Sequence, residues 1–466
     1  MHTQQSDPHI TEALKAELTN ADLWLARVIV IAAAAAAGLT VVGFTWITEH
    51  ALSTLAIHRH WPKWTPLFTT PLCTAGIVWL TRRFAVGATG SGIPQVMATL
   101  SPEVEPGQRH MFVSLKLSIA KMLLCTWGLL GGLSLGREGP SVQIAAGVMH
   151  SVRRWVPKRA SVNDHGLLVA GGAAGIAAAF NTPLAGVMFA IEELSRSPEQ
   201  RSSGLLVAGI VLAGLIGVSV YGNETYFGVI HVGSVGLSLL WPGLLVTVLS
   251  GLAGGLFSRL MINSLSGQGK DRFSRFRARK PVLFAAACGL MIAVIGLVTG
   301  GGTFGSGYSH TRDMIEGHDT VPASYALLKF MATWLTAWSG VPGGIFAPCL
   351  AIGAAMGNDV AQLMNYPEAP MLIALGMVGF LAAATQAPLT SFIIVMEMVN
   401  GHAMVLTLMM CALVANGVSR LLSRPLYGVL AQFQLARIPG FGHYNPEPVQ
   451  EVVPPTKQSE GLSSPG

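Results

Sequence analysis

The chain has 466 residues, of which 51% are hydrophobic and 11% charged, with a net charge of +6. Soluble domains carry about 25% charged residues, so this chain has too little charge to cover a water-facing surface. The composition excludes an ordinary soluble domain and fits an all-α polytopic membrane protein whose outer faces meet lipid. The basic residues are spread over segment ends, which speaks against a nucleic-acid partner. The five cysteines are scattered without a CxxC, which implies neither a disulfide frame nor a metal site.

In chain order, residues 1–22 are polar and predict a cytoplasmic N-terminal helix over Ile10 to Leu18, with no cleavable leader. A first apolar helix is expected from about Leu23 to Thr48. His58 and His60 form an isolated pair that suits a loop or interface better than a metal. Asp, Glu, Lys and Arg are absent from Gly166 to Ile191, Ser202 to Asn223, Pro281 to Thr311, Phe330 to Asn358 and Ala369 to Met396. Each stretch exceeds the roughly 20 residues that span a bilayer. Glycine and proline inside them imply short, tilted or broken helices, which are tolerated at membrane depth only where they line a cavity or are covered by protein. The clusters Arg82-Arg83, Arg153 to Arg159, Lys270 to Lys280, and Arg420 with Arg424 read as cytoplasmic loops under the positive-inside rule. The membrane part is expected over residues 23–431. The polar, proline-rich residues 432–466 are expected to form a disordered cytoplasmic tail.

The chain is duplicated. AAFNTPLAGVMFAIEE at 178–193 resembles AATQAPLTSFIIVMEM at 383–398, with Pro183 and Pro388 lying 205 residues apart. GREGP at 136–140 aligns with GIFAP at 344–348 at an offset of 208. The halves are placed at about 23–222 and 223–431. Such repeats put a transporter's substrate site near the midplane, where the halves meet.

Three glycine-proline motifs stand where apolar helical segments begin: Gly90-Ser91-Gly92-Ile93-Pro94, Gly136-Arg137-Glu138-Gly139-Pro140 and Gly344-Ile345-Phe346-Ala347-Pro348. Proline suits a first helical turn, and glycine lets backbone amides approach a ligand. Each motif can present free N–H groups and a partial positive charge to an anion. Partial charges would hold a halide weakly enough to release it. Any one motif alone could be an ordinary helix-starting turn. Glu138 is a candidate gate: its carboxylate competes for the anion's place, and protonation lets it leave. The alternative is a glutamate that serves only its own helix. Glu192 has a repeat counterpart in Glu397, which suggests a shared structural role, whereas Glu193 faces Met398 and is the better functional candidate. Lys121 lies alone in an apolar segment and either tunes the field of the pore or neutralises a buried acid. Tyr427, in Arg424-Pro425-Leu426-Tyr427, reads from composition as an interfacial anchor.

Taken together, GSGIP at 90–94, GREGP at 136–140, AAAFNTPLAG at 177–186, GGIFAP at 343–348, APLT at 387–390 and PLY at 425–427 resemble the CLC family of chloride channels and proton/chloride exchangers. The resemblance implies inverted halves and a homodimer with one pore per subunit. It implies that Ser91 and Tyr427 coordinate the anion through hydroxyls, and Ile345 and Phe346 through backbone amides. It makes Glu138 the outer gating glutamate and Glu193 the inner proton-transfer glutamate. It therefore implies exchange of chloride for protons across a bacterial inner membrane, with both termini cytoplasmic; a passive chloride channel is the alternative. Gln95 and Met97 stand where well-known bacterial exchangers carry acids, and Trp338 replaces a small residue. Neither HExxH nor a recognisable triad around Ser309-His310 is present, so no enzymatic activity, metal or cofactor is expected.

Overall fold

The computed structural model describes residues 20–57, 62–157, 162–195, 204–222, 225–230, 236–267, 269, 271–317 and 321–438. The expected helix over Ile10 to Leu18, the pair His58 and His60, and the tail beyond Ile438 lie outside the described residues.

The first half holds α1 (Ala21–Ile57), α2 (Pro66–Phe84), α3 (Ile93–Leu100), α4 (Leu115–Leu130), α5 (Glu138–Ser151), α6 (Asp164–Phe180), α7 (Pro183–Phe189) and α8 (Gly204–Tyr221). The second half holds α9 (Leu240–Leu265), α10 (Arg272–Arg279), α11 (Pro281–Val298), α12 (Tyr308–Glu316), α13 (Ser324–Ser339), α14 (Phe346–Leu363), α15 (Ala369–Thr385), α16 (Pro388–Met398) and α17 (Val405–Arg420). A closing helix, α18 (Leu426–Leu435), follows. Among the described residues, six helical segments are long and apolar enough to cross a membrane. The protein is a multi-pass helical membrane protein.

The halves correspond element by element. α5 packs on α6 as α14 packs on α15, α1 on α8 as α9 on α17, and α6 on α8 as α15 on α17. Their local chemistry repeats as well. α6 ends at Asn181 in the left-handed conformation (φ 59°), and α15 ends at Gln386 in the same conformation (φ 60°). In each case the helix stops, turns, and restarts at a proline, Pro183 or Pro388, whose missing N–H suits a first turn. α6 and α15 are buried on every face. Small residues allow this. A methyl group at Gly175 would meet the Ser141 carbonyl oxygen at 2.5 Å, so α5 and α6 touch backbone to backbone.

Two reciprocal contacts locate the pseudo-two-fold axis. Gly136 N–H donates to the Gly344 carbonyl, and Gly344 N–H to the Gly136 carbonyl, both at 2.8 Å. These residues are repeat equivalents, so the axis passes between them. Further along, Glu192 accepts from the N–H groups of Leu389 (3.0 Å) and Thr390 (2.7 Å) at the start of α16. Glu397 accepts from Leu184 (3.3 Å) and Ala185 (2.8 Å) at the start of α7. Each half thus caps a helix of the other.

Two boundaries differ from expectation. The first helix runs from Ala21 to Ile57, because residues 49–57 contain neither proline nor glycine to stop it. The last runs to Leu435, past the expected edge at residue 431, because Gln432 to Leu435 continue without a breaker.

Candidate functional site

The three motifs do start helices, and those starts converge. Pro94 lies in the first turn of α3, Pro140 in that of α5 and Pro348 in that of α14. Gly343 N–H donates to the Gly90 carbonyl at 3.1 Å, tying the third motif to the first. The Gly136–Gly344 bridge ties the second to the third. A methyl at Gly92 would meet the Gly139 carbonyl oxygen at 2.7 Å, and one at Gly344 would meet the Gly139 amide nitrogen at 3.0 Å. Glycine is needed here because three backbones share one small volume.

Tyr427 is not an interfacial anchor. It stands in the first turn of α18, is 1% exposed, and packs its ring against Phe346 at 5.9 Å between centroids. Its hydroxyl lies near Ser91, with Glu138 and Glu193 both within electrostatic reach. Neither the Tyr427 nor the Ser91 hydroxyl completes a hydrogen bond among the described residues, although both are buried. Two orphaned hydroxyls and the buried helix start at Ile345 and Phe346, whose first-turn amides have no partner within their helix, make a cradle of donors with no full positive charge. Such a cradle suits an anion.

Glu138 opens α5 and is completely buried. Its carboxylate folds back over Gly136, where a methyl group would collide with Oε2. It approaches the backbone amides of Arg137, Glu138 and Ala347, yet neither oxygen completes a hydrogen bond among the described residues. Glu193 is also buried, in a wide helical turn (Ala190–Leu194) that extends α7. Met97 is an apolar, partly buried neighbour of the core. The Gln95 amide donates to the Thr89 carbonyl at 2.5 Å and so holds the turn before Ser91.

Lys121 neutralises no carboxylate among the described residues. Its buried ammonium donates to the carbonyls of Ala88 (2.7 Å) and Gly90 (2.5 Å), clamping the turn that carries Ser91. Sequence reading missed its partner. Lys329 lies 208 residues on, the offset of the proline motifs, and donates to Thr303 (2.9 Å) and Gly305 (2.8 Å). The signal was present, since Gly305-Ser306-Gly307 repeats Gly90-Ser91-Gly92 at an offset of 215. Also missed was the anchoring of Arg137. Its guanidinium turns away from the cradle, pairing with Glu49 at 2.9 Å and donating to Tyr226 Oη at 3.1 Å.

These features define a class: a duplicated helical membrane protein whose broken helices aim their N-termini into one buried, anion-suited cradle. Residues 72–420 match the family described as voltage gated chloride channel, and the chain belongs to that family. It is 32% identical over 377 residues to an H(+)/Cl(-) exchange transporter, ClcA, from Citrobacter koseri, covering 77% of this chain and 76% of that one. The corresponding ClcA of Salmonella paratyphi A is 31% identical over 375 residues, with the same coverage. Among solved structures, a slow cyanobacterial Cl-/H+ antiporter superposes with a TM-score of 0.77 at 25% identity, over 88% of this chain and 98% of that one. A CLC-type fluoride/proton antiporter shares the fold, with a TM-score of 0.70 at 21% identity, over 91% of this chain and 99% of that one.

Proposed function

We propose that the chain is a secondary antiporter that exchanges chloride for protons across a bacterial inner membrane, working as a homodimer with one pore per subunit and both termini cytoplasmic. The observation that carries this reading is the buried Glu138 carboxylate, which lies where an anion would sit, among helix N-termini and without a completed hydrogen bond. Ionised, it fills that place and closes the pore. Protonated, it loses the attraction of the helix dipoles and withdraws, and chloride takes its place. The hydroxyls of Ser91 and Tyr427 and the amides of Ile345 and Phe346 then hold the chloride. Glu193 passes the proton toward the cytoplasm. In this cycle Tyr427, within electrostatic reach of both acids, belongs to the stretch that the two routes share. Chloride and protons are cargo, and no cofactor or catalytic group enters this cycle.

A passive channel is the second reading, favoured by Met97, which leaves the inner leg of the proton route without an acid at that position. Paired chloride and proton fluxes in liposomes separate the two. Exchange predicts proton movement against a gradient when chloride runs down its own. Chloride flux without proton flux establishes the channel instead. Under exchange, Glu138→Ala abolishes proton coupling while anions still pass, and Glu193→Gln stops proton flux while sparing chloride.

A further inference from the structure

The Gly305-Ser306-Gly307 turn is built like the turn that carries Ser91. A fully buried lysine clamps each through two carbonyls two residues apart. Each turn leads into a short helix, α3 or α12, and each rests on a helix of the central pair. A methyl at Gly92 would meet Gln143 Cβ on α5 at 3.0 Å, and one at Gly307 would meet Ala351 Cβ on α14 at 2.5 Å; Gln143 and Ala351 are themselves 208 apart. The second turn does not face the cradle. With Tyr308 it lines a cavity of about 340 Å³ next to Arg137, the residue before Glu138.

This cavity is wet in size, and each of its two arginines is paired with a glutamate, Arg137 with Glu49 and Arg312 with Glu316. It has room for about ten waters at their liquid volume. Its charged lining is Arg137 and Arg312 against Glu49. Buried polar atoms there lack partners among the described residues: Thr45 Oγ1, on a residue 2% exposed, and Arg137 Nε. Both residues line the cavity. Arg312 donates to Glu316 at 2.7 Å and toward Tyr308 Oη at 3.5 Å, so its charge is partly spent yet held at the wall. The unpartnered Arg137 N–H and Thr45 hydroxyl are donors, which favours an anion over a cation. A small halide with part of its water shell fits both size and charge, and partly paired arginines would bind it weakly enough for onward release.

We propose that the Ser306 turn, with Tyr308, Arg312 and the Arg137–Thr45 wall, forms a second halide station outside the Glu138 gate, the repeat counterpart of the Ser91 cradle, where chloride waits before entering the pore. The role in transport rests on the chloride reading above; the station itself does not. Crystals of the full chain soaked in bromide should show anomalous density in this cavity as well as beside Ser91 and Tyr427. In oriented proteoliposomes, Arg312→Gln should raise the half-saturating chloride concentration on the cavity side roughly threefold to tenfold, with no change on the opposite side. Glu316→Gln should shift that side the other way. An empty cavity at bromide concentrations that fill the Ser91 cradle overturns the station, as does an equal change on both sides. An empty Ser91 cradle with a filled cavity would sink the transport reading and leave the station standing.

Discussion

Removing the Glu192 carboxylate should weaken the fold without touching proton coupling. Its two oxygens accept the N–H groups of Leu389 and Thr390, the first orphaned donors of α16. In Glu192→Ala both donors lose their partner, Thr390 within packed protein and Leu389 at an exposed edge. An unsatisfied buried donor costs roughly 1–3 kcal/mol, and only Thr390 is buried here, so the loss amounts to about 1–3 kcal/mol. Even the lower figure is roughly a five-fold change in the folded-to-unfolded ratio. Glu192→Gln keeps one acceptor but turns an NH2 group toward the second donor, so about half the loss should remain. Thermal unfolding in detergent, followed by fluxes normalised to folded protein, checks this. A variant with unchanged melting and abolished proton flux would refute the argument, because Glu192 would then carry protons. Glu397→Ala is the mirror experiment, with Leu184 and Ala185 orphaned in place of Leu389 and Thr390. The two losses should not sum, since both act on the same α7–α16 contact.

Gly139→Ala would set a methyl group against the Ser91 hydroxyl; chloride affinity by calorimetry should fall at least tenfold, about 1.4 kcal/mol, and the double change Gly139→Ala with Ser91→Gly should recover the protein's melting temperature but not the affinity. Lys121→Met orphans the carbonyls of Ala88 and Gly90 and should lower both thermal stability and chloride affinity. Lys329→Met should lower stability and leave chloride affinity at the Ser91 cradle unchanged, because its turn lies away from that cradle; equal losses of affinity there would contradict the separation of the two clamps. Asp271 caps α10 by accepting from the N–H groups of Phe273 and Ser274, and its bonds with Ser274 hold its carboxyl below the usual range. A carboxyl lowered on folding adds stability above its unfolded pKa, which is lost as pH falls through the folded one. Trp338 fluorescence, which senses α10 through Phe273 at 6.2 Å, should therefore change only below about pH 4, and Asp271→Asn should shift that change.

Much of the site was legible because its chemistry is local. A proline three or fewer residues into a helix, a glycine where backbones cross, and an acid between them leave a linear trace, so Glu138 and the three helix starts could be read directly. One aligned pair suggested a shared structural role for Glu192 and Glu397, but that each caps a helix of the other half is visible only in the hydrogen bonds. Tyr427 could not be placed from composition, because an anchor and a buried ligand carry the same residue and only packing against Phe346 separates them. Lys121 was undecidable for a related reason: its partners are carbonyls, which every residue has, so nothing in the side-chain pattern marks them. Lys329 and Ser306 were recoverable in principle, but a three-residue repeat is weak until geometry shows both turns held in the same way. Helix ends were the least secure, as at Ile57 and Leu435, where ordinary helix formers simply continue.

The bridge between Gly136 and Gly344 has a consequence for how such a protein could arise. On a two-fold axis, identical half-length chains would have to put the same residue on both sides. Two glutamates would then meet across the bridge and repel, or two phenylalanines would leave no acid at all. Joining the halves into one polypeptide lifts that constraint. Position 138 can hold a carboxylate, the group protonated in the proposed cycle, while its equivalent, position 346, holds a ring that packs on Tyr427. Covalent fusion here does more than keep two halves together: it permits symmetry to be broken at the one place where symmetry would forbid a one-sided gate.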